Sequence, residues 1–553
     1  KQHIIVDIFG FLIGLAVLAA GCKSGGEASL TSFVDPFIGT GGFGHTHPSA
    51  QLPFSMVQVG PNTDDSKSGK QWEHCSGYHY DEKTIIGFSH THLSGTGAAD
   101  LVDILLLPTS NGGRQSGIDH QAEQASPGYY RVRLTDDDIR AELTATTRTG
   151  IHRYTYAQGK PKAVYLDLDH SAVKGDWGRR IERAQLRIVD ACTVEGFRII
   201  TGWAPLRKVC FSIRFSQPIT GYNLWGDGHQ YEGNQTTFTL NGTDLKGTFT
   251  FGTDGRQVEA RVGISAVSVG NARQNREQEA DGKSFDQLHA EAETRWEDAL
   301  GGIRAQFGTP EEHAVFYTAL YHALQQPSVF CDVNGQYARA DYETGSIREG
   351  NRLFRNQGWE REFYTMFSIW DTYRAAHALY DLLQPRRASD MVCSMIDHAE
   401  HYGYLPIWEL WGEANYCMIG NHAVSIVVEA IVKDEAEIYL DTTGAPLFKR
   451  GYRPGHVAAP LRETLAAAIR DTGADCLIYG ICWDKPGGKE HLVSPPELCG
   501  RVYTDRREVL NIVLNDDSYN SLCRKCVKTS CFDGRDFSPF FHISSGEDRL
   551  QST

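Results

Sequence analysis

Past its first thirty residues, the 553-residue chain holds no apolar run long enough to span a membrane. Positive charge is the scarcer sign, with 54 Lys and Arg against 69 Asp and Glu and a net charge of -15. No basic stripe interrupts that balance, which sets nucleic acid aside as a main partner. A nucleotide site is also missing its essentials. Gly39, Gly41 and Gly44 spell G-x-G-x-x-G, but Pro48 and Pro53 follow at once and break any helix there. A pyrophosphate needs that helix N-terminus, and no acidic residue closes a βαβ unit at the required distance. Cys523 and Cys526 form one C-x-x-C pair, whereas a zinc site wants a second pair or nearby histidines.

What is present divides by character along the chain. Residues 1–30 read as a signal segment whose apolar run ends in "LAAGC". That string resembles a bacterial lipobox, which implies lipidation at Cys22 and an anchor in a membrane. The chain opens on Lys, so its natural start is expected to lie upstream. Residues 31–268 read as an antiparallel β-sandwich, because "GIHRYTYA", "AVYLDLDH", "KVCFSIRFS" and "EARVGISAVSV" are short β-rich runs between turn residues. Residues 269–307 are charged and helix-forming, with Phe285, Leu288 and Trp296 as apolar anchors. They read as a helical linker. From 308 to 434 the text stays helical, and Phe316, Leu320 and Leu324 fall four residues apart. In 435–553 prolines, cysteines and arginines rise together and long amphipathic runs fade. Two readings of that segment stand: a genuine tail domain, or text shifted out of frame.

Several stretches, in order, resemble the glycoside hydrolase family 92 exo-α-mannosidases. They include "VDPFIGTGGFGHTHPSAQLPFSMVQVGPNT", "QWEHCSGYHYDEKTIIGFSHTHLSGTGAADLVDILLLP", "GWAPLRKVCFSIRFS", "FYTMFSIWDTYRAAHALY" and "GYLPIWELWGEANYCMIGNHAVSIVVEAIVKD". The likeness runs from about Phe33 to Asp434. It implies a multidomain β + α protein: an N-terminal β-sandwich, a helical linker and the start of an (α/α)6 barrel. It also implies hydrolysis of terminal α-linked mannose by an inverting, calcium-dependent route. Such a route needs an acid and a base about 6.5–9.5 Å apart. A hard cation suits sugar hydroxyls, since it takes oxygen ligands flexibly.

The resemblance names site residues one by one. The glycine loop brings Phe43 and Gly44 towards the sugar, with Phe43 standing where the family usually has His. Trp72 matches the tryptophan of the "Y-H-Y" segment and would pack on a hexose face. Asp371 matches the W-D-T aspartate that binds hydroxyls. Trp408, Glu409 and His422 fall where the family lines its cleft. The pairs His45/His47 and His90/His92 sit at strand spacing, facing one side, and are read as a hydrogen-bonded interface rather than a metal site. The family's acid segment "G-N-x-x-S-H" and base segment "D-N-G" do not occur in the chain. No catalytic residue or calcium ligand is therefore assigned, and hydrolysis is expected to be weak or absent. The implied partner is a mannose-containing glycan, and the implied location an exported lipoprotein of the periplasm or outer membrane. The alternative is a non-catalytic carbohydrate-binding lipoprotein.

Overall fold

The computed structural model describes residues 28–63, 71–172, 179–341, 346–350 and 362–432, with four short strands farther on. Cys22 and its signal segment lie outside the described residues, as does nearly all of 435–553. No helix among the described residues is long and apolar enough to cross a membrane. The chain divides into two compact units. The first takes the residues up to Phe367 with Leu382–Ser394 and Glu409–Asn415; the second takes Ser368–Asp381, Met395–Trp408 and Tyr416 onwards.

In the first unit two antiparallel sheets of nine strands pack on one another. One runs Ala50–Gln51, Gln58–Thr63, Thr84–Ser89, Leu105–Thr109, Lys162–Asp167, Lys246–Phe251, Ile219–Gly226, His229–Gly233, with Ser116–Gly117 on the side of Thr84–Ser89. The other runs Phe238–Gly242, Arg180–Asp190, Thr193–Thr201, Arg207–Phe215, Gln257–Ser265, Thr149–Thr155, Ile139–Ala145, Tyr129–Leu134, Gln124–Ser126. The cause is the alternation legible in the sequence. Lys246–Phe251 buries Gly247, Phe249 and Phe251 and turns Lys246, Thr248 and Thr250 outwards. Ile139–Ala145 and Thr149–Thr155 are buried on nearly every residue instead, because helices cover their outer face.

Those helices are α1 (Val269–Glu279) and α2 (Phe285–Leu300). A capping box of Ser284 and Gln287 starts α2. Its anchors Phe285, Leu288 and Trp296 are all buried, and the Trp296 indole N–H donates to the Gln51 carbonyl at 2.6 Å. Helix α1 lies so close to Gln257–Ser265 that a Cβ on Gly263 would stand 2.2 Å from the Ala272 carbonyl oxygen. Only glycine fits there. Helix α3 (Pro310–Ala323) opens on a second box, Thr309 and Glu312, with Pro310 in its first turn. The sequence order of β text followed by helical text is thus the order of the fold. The second unit contributes helices α4 (Ile369–Thr372) and α5 (Ala423–Val432).

Candidate sugar site on the sandwich loops

The glycine loop folds onto itself. Gly39 and Gly42 are left-handed, and Thr46 N–H returns to the Gly39 carbonyl at 3.2 Å. A Cβ on Gly44 would lie 2.0 Å from the Gly39 oxygen, so the glycine is needed for closure of the loop itself. Phe43 stands at the tip with 62% of its surface exposed. A second segment, residues 71–82, is stitched beneath it. Tyr80 N–H donates to the Thr40 carbonyl at 3.0 Å, and Ser76 Oγ donates to the Thr46 carbonyl at 2.9 Å. That segment carries Trp72, which is 53% exposed and therefore no core tryptophan.

Behind these exposed rings several polar groups are paired. Glu73 meets His79 at 3.2 Å. Glu123 accepts from the Tyr78 hydroxyl at 3.0 Å, from Tyr130 at 2.6 Å and from His120 Nδ1 at 2.6 Å. Sequence reading missed Tyr78, Tyr80, His120 and Glu123. The first two lay in the quoted "GYHY", but which of them turned outwards depends on partners forty or more positions away.

The histidine pairs differ from the strand expectation. His45 has a left-handed backbone at φ 57°, outside any strand, so it and His47 need not share a face. His90 and His92 follow Thr84–Ser89 and part company. His90 Nδ1 donates to the Ile104 carbonyl at 2.7 Å, so its Nε2 accepts from His152 Nε2 at 2.9 Å. His152 Nδ1 must then accept from the Tyr154 hydroxyl at 2.7 Å. With both rings neutral, every one of these contacts is a hydrogen bond. Burial accordingly pushes His90 down to about 4 and His152 well down. His92 Nδ1 donates to the Gln58 carbonyl at 2.8 Å, and burial pushes it too down to about 4.

The loop after His92 ties this region to the rest of the sandwich. Gly95 N–H donates to the His45 carbonyl at 2.8 Å. Farther along, Leu101, Val102 and Ile104 are all left-handed, an arrangement costly for branched residues. Buried ion pairs hold it. Arg198 Nε donates to Asp103 at 2.9 Å, Arg207 reaches Asp103 at 3.3 Å and Asp100 at 2.9 Å, and Thr91 adds a hydroxyl at 2.7 Å. Burial pushes the Asp103 carboxyl up, but the two guanidiniums outweigh it and hold it below the usual range.

Glu409 belongs to this first unit and is fully buried. It pairs with Ala414 across a hairpin whose turn residues, Trp411 and Gly412, are both left-handed. The hairpin docks on the sandwich: the Trp411 indole donates to the Lys208 carbonyl at 3.0 Å, and Leu206 N–H donates to Glu413 at 3.2 Å. Phe43, Gly44, Trp72 and Glu409 thus share one unit, with Glu409 inside it and the two aromatics at its surface. Asp371, Trp408 and His422 belong to the second unit. There Asp371 is exposed at the start of α4 and accepts from the Ser368 hydroxyl. Trp408 is buried. His422 stacks on Tyr373 at 4.0 Å, and burial with nearby Arg374 pushes it down to about 4. Among the described residues no group of three or more His, Cys, Asp or Glu side chains is arranged to hold a metal ion.

Comparison with known proteins gives the geometry its setting. The "Glycosyl hydrolase family 92 N-terminal domain" matches residues 33–265, and the "Glycosyl hydrolase family 92 catalytic domain" matches 271–449. An α-mannosidase of this family from Bacteroides thetaiotaomicron, solved with mannoimidazole, is 34% identical. The likeness covers 74% of this chain and 53% of that one, with a TM-score of 0.66. An uncharacterized secreted glycosidase of Arthroderma benhamiae is 24% identical over 380 residues, 63% of this chain and 48% of its own. The chain thus spans about half the length of these two relatives. A stretch of 37 residues, 7% of the chain, is 65% identical to a ribosomal RNA large subunit methyltransferase K/L of Psychromonas ingrahamii. With both family domains matched in order over more than half its residues, the chain belongs to glycoside hydrolase family 92.

Proposed function

We propose that this chain recognises terminal α-linked mannose on glycans, as the sugar-binding part of an exo-acting, inverting α-mannosidase. Its match to an α-mannosidase solved with mannoimidazole carries the reading, since that match covers 74% of the chain at 34% identity. The physical support is the surface itself. A half-exposed indole, and an exposed phenyl ring on a loop bonded to the same segment, each offer a platform for the apolar face of a hexose. Preorganised loops lose little entropy when a sugar arrives.

Turnover is a separate matter. Protonating the leaving oxygen while activating water demands two carboxyl groups at fixed separation. The segments that supply them in the family do not occur in this sequence. The chain therefore binds mannosides and hydrolyses them poorly. The same reading places it outside the cytoplasm, like the secreted relative, held by lipid on Cys22. Incubation of purified chain with an α-linked mannobiose, together with calorimetric titration of methyl α-mannoside, tests the pair of claims. Binding with little mannose released is expected. Absence of binding overturns the recognition claim, and rapid, calcium-dependent release overturns the turnover claim.

A further inference from the structure

We propose that Tyr80 is a second sugar-stacking aromatic of this surface, and that His120, with a proton on both ring nitrogens, is the residue that positions it. The inference rests on the mannoside-binding reading above. Tyr80 is 41% exposed and stacks on the His120 ring at 4.4 Å with 23° between planes. Phe37 meets it edge-on at 5.8 Å, and its backbone is bonded to Thr40 in the glycine loop. One face of the phenol is thus fixed, and the exposed remainder is offered outwards from the same segment that carries Trp72.

His120 itself is clamped at both nitrogens. Nδ1 faces the Glu123 carboxylate at 2.6 Å, and Nε2 faces the Glu82 carbonyl at 3.0 Å. Both partners only accept, so both contacts are hydrogen bonds only if the ring is an imidazolium. The hydrogen bond to Glu123 raises the affinity of His120 for its second proton, while burial and Lys83 oppose it. Glu123 is itself fixed by the hydroxyls of Tyr78 and Tyr130. A cation beneath the phenol adds attraction to the stack. When His120 loses a proton, one of its two anchors fails and the platform loosens.

Calorimetric titration of methyl α-mannoside at pH 6 and pH 8.5 tests this on the full chain. Tyr80→Ala is expected to bind about three- to tenfold more weakly than wild type, and Tyr80→Phe within about twofold of it. Wild type should weaken at the higher pH, and His120→Gln should not change with pH. Tyr80→Ala binding as wild type does, while Trp72→Ala loses affinity, overturns this inference and leaves mannoside recognition standing. An equal pH response in His120→Gln overturns the positioning role. A wild type that binds no mannoside overturns both readings together.

Discussion

Acid should unfold the sandwich through its buried histidines, well before its carboxylates are touched. His90 and His92 are held neutral in the folded chain, each pushed down to about 4, against an ordinary value of about 6.5. Below that ordinary value the unfolded chain takes protons that the folded chain refuses. Stability therefore falls with pH between about 6.5 and about 4. At about pH 5 each ring accounts for about 1.5 units at about 1.36 kcal/mol per unit, or about 2 kcal/mol. The two together remove about 4 kcal/mol, and His152 adds in the same sense. That is a large share of a typical stability of about 5–15 kcal/mol. Other groups act in other windows. Asp103, lowered, loses its contribution only below the usual carboxylate range. His120, raised, contributes below about 6.5 and loses that contribution as pH climbs. Asp167 and Asp332, raised by burial, oppose the trend only near their own titration. Urea titrations followed by tryptophan fluorescence at pH 6.5 and pH 5 provide the assay. Each unfolded ring is already half protonated at pH 6.5, so the two rings account for about 3 kcal/mol between the two conditions, and at an m of about 3 kcal/mol/M the midpoint should drop by at least about 1 M. A midpoint unchanged or higher at pH 5 would refute the assignment of neutral, buried rings.

The other expectations concern single residues. Asp103→Ala strands the fully buried Arg198 without its partner and should cost about 3–5 kcal/mol in the same urea assay. A loss under 1 kcal/mol would mean the guanidinium finds other company. Gly44→Ala must push the loop off the Gly39 carbonyl, so about 1–3 kcal/mol and part of the mannoside affinity should go together. Unchanged affinity would separate the loop from the sugar. Tyr154→Phe removes the hydroxyl that satisfies His152 Nδ1 and should cost about 1–3 kcal/mol, read as a lower melting temperature.

Much of the architecture was legible because it rests on local patterns. Alternation announced strands such as Lys246–Phe251, and the Ser284–Gln287 box with Phe285, Leu288 and Trp296 specified an amphipathic helix. The site was legible only as far as short motifs reach. Trp72 and Phe43 could be named from the sequence, but their exposure depends on bonds from Thr40, Thr46 and Gly42 to residues thirty or more positions away. The histidine pairs were misleading for the same reason. Spacing suggested one shared face, whereas His90 turns to His152, sixty-two positions on, and His92 to Gln58, thirty-four positions back. Glu409 looked like a cleft carboxylate from its place in "WELWG". A two-residue left-handed turn at a non-glycine, Trp411, folds it inside instead, and tryptophan gives no local sign of that conformation.

The most direct test compares methyl α-mannoside with methyl α-glucoside, which differs only at the second carbon, on wild type and Trp72→Ala by calorimetry. Saturable binding of the mannoside alone, weakened about tenfold or more by the substitution, is the predicted result. Equal heats for both sugars, or wild type and variant binding alike, would contradict a mannose site built on this tryptophan.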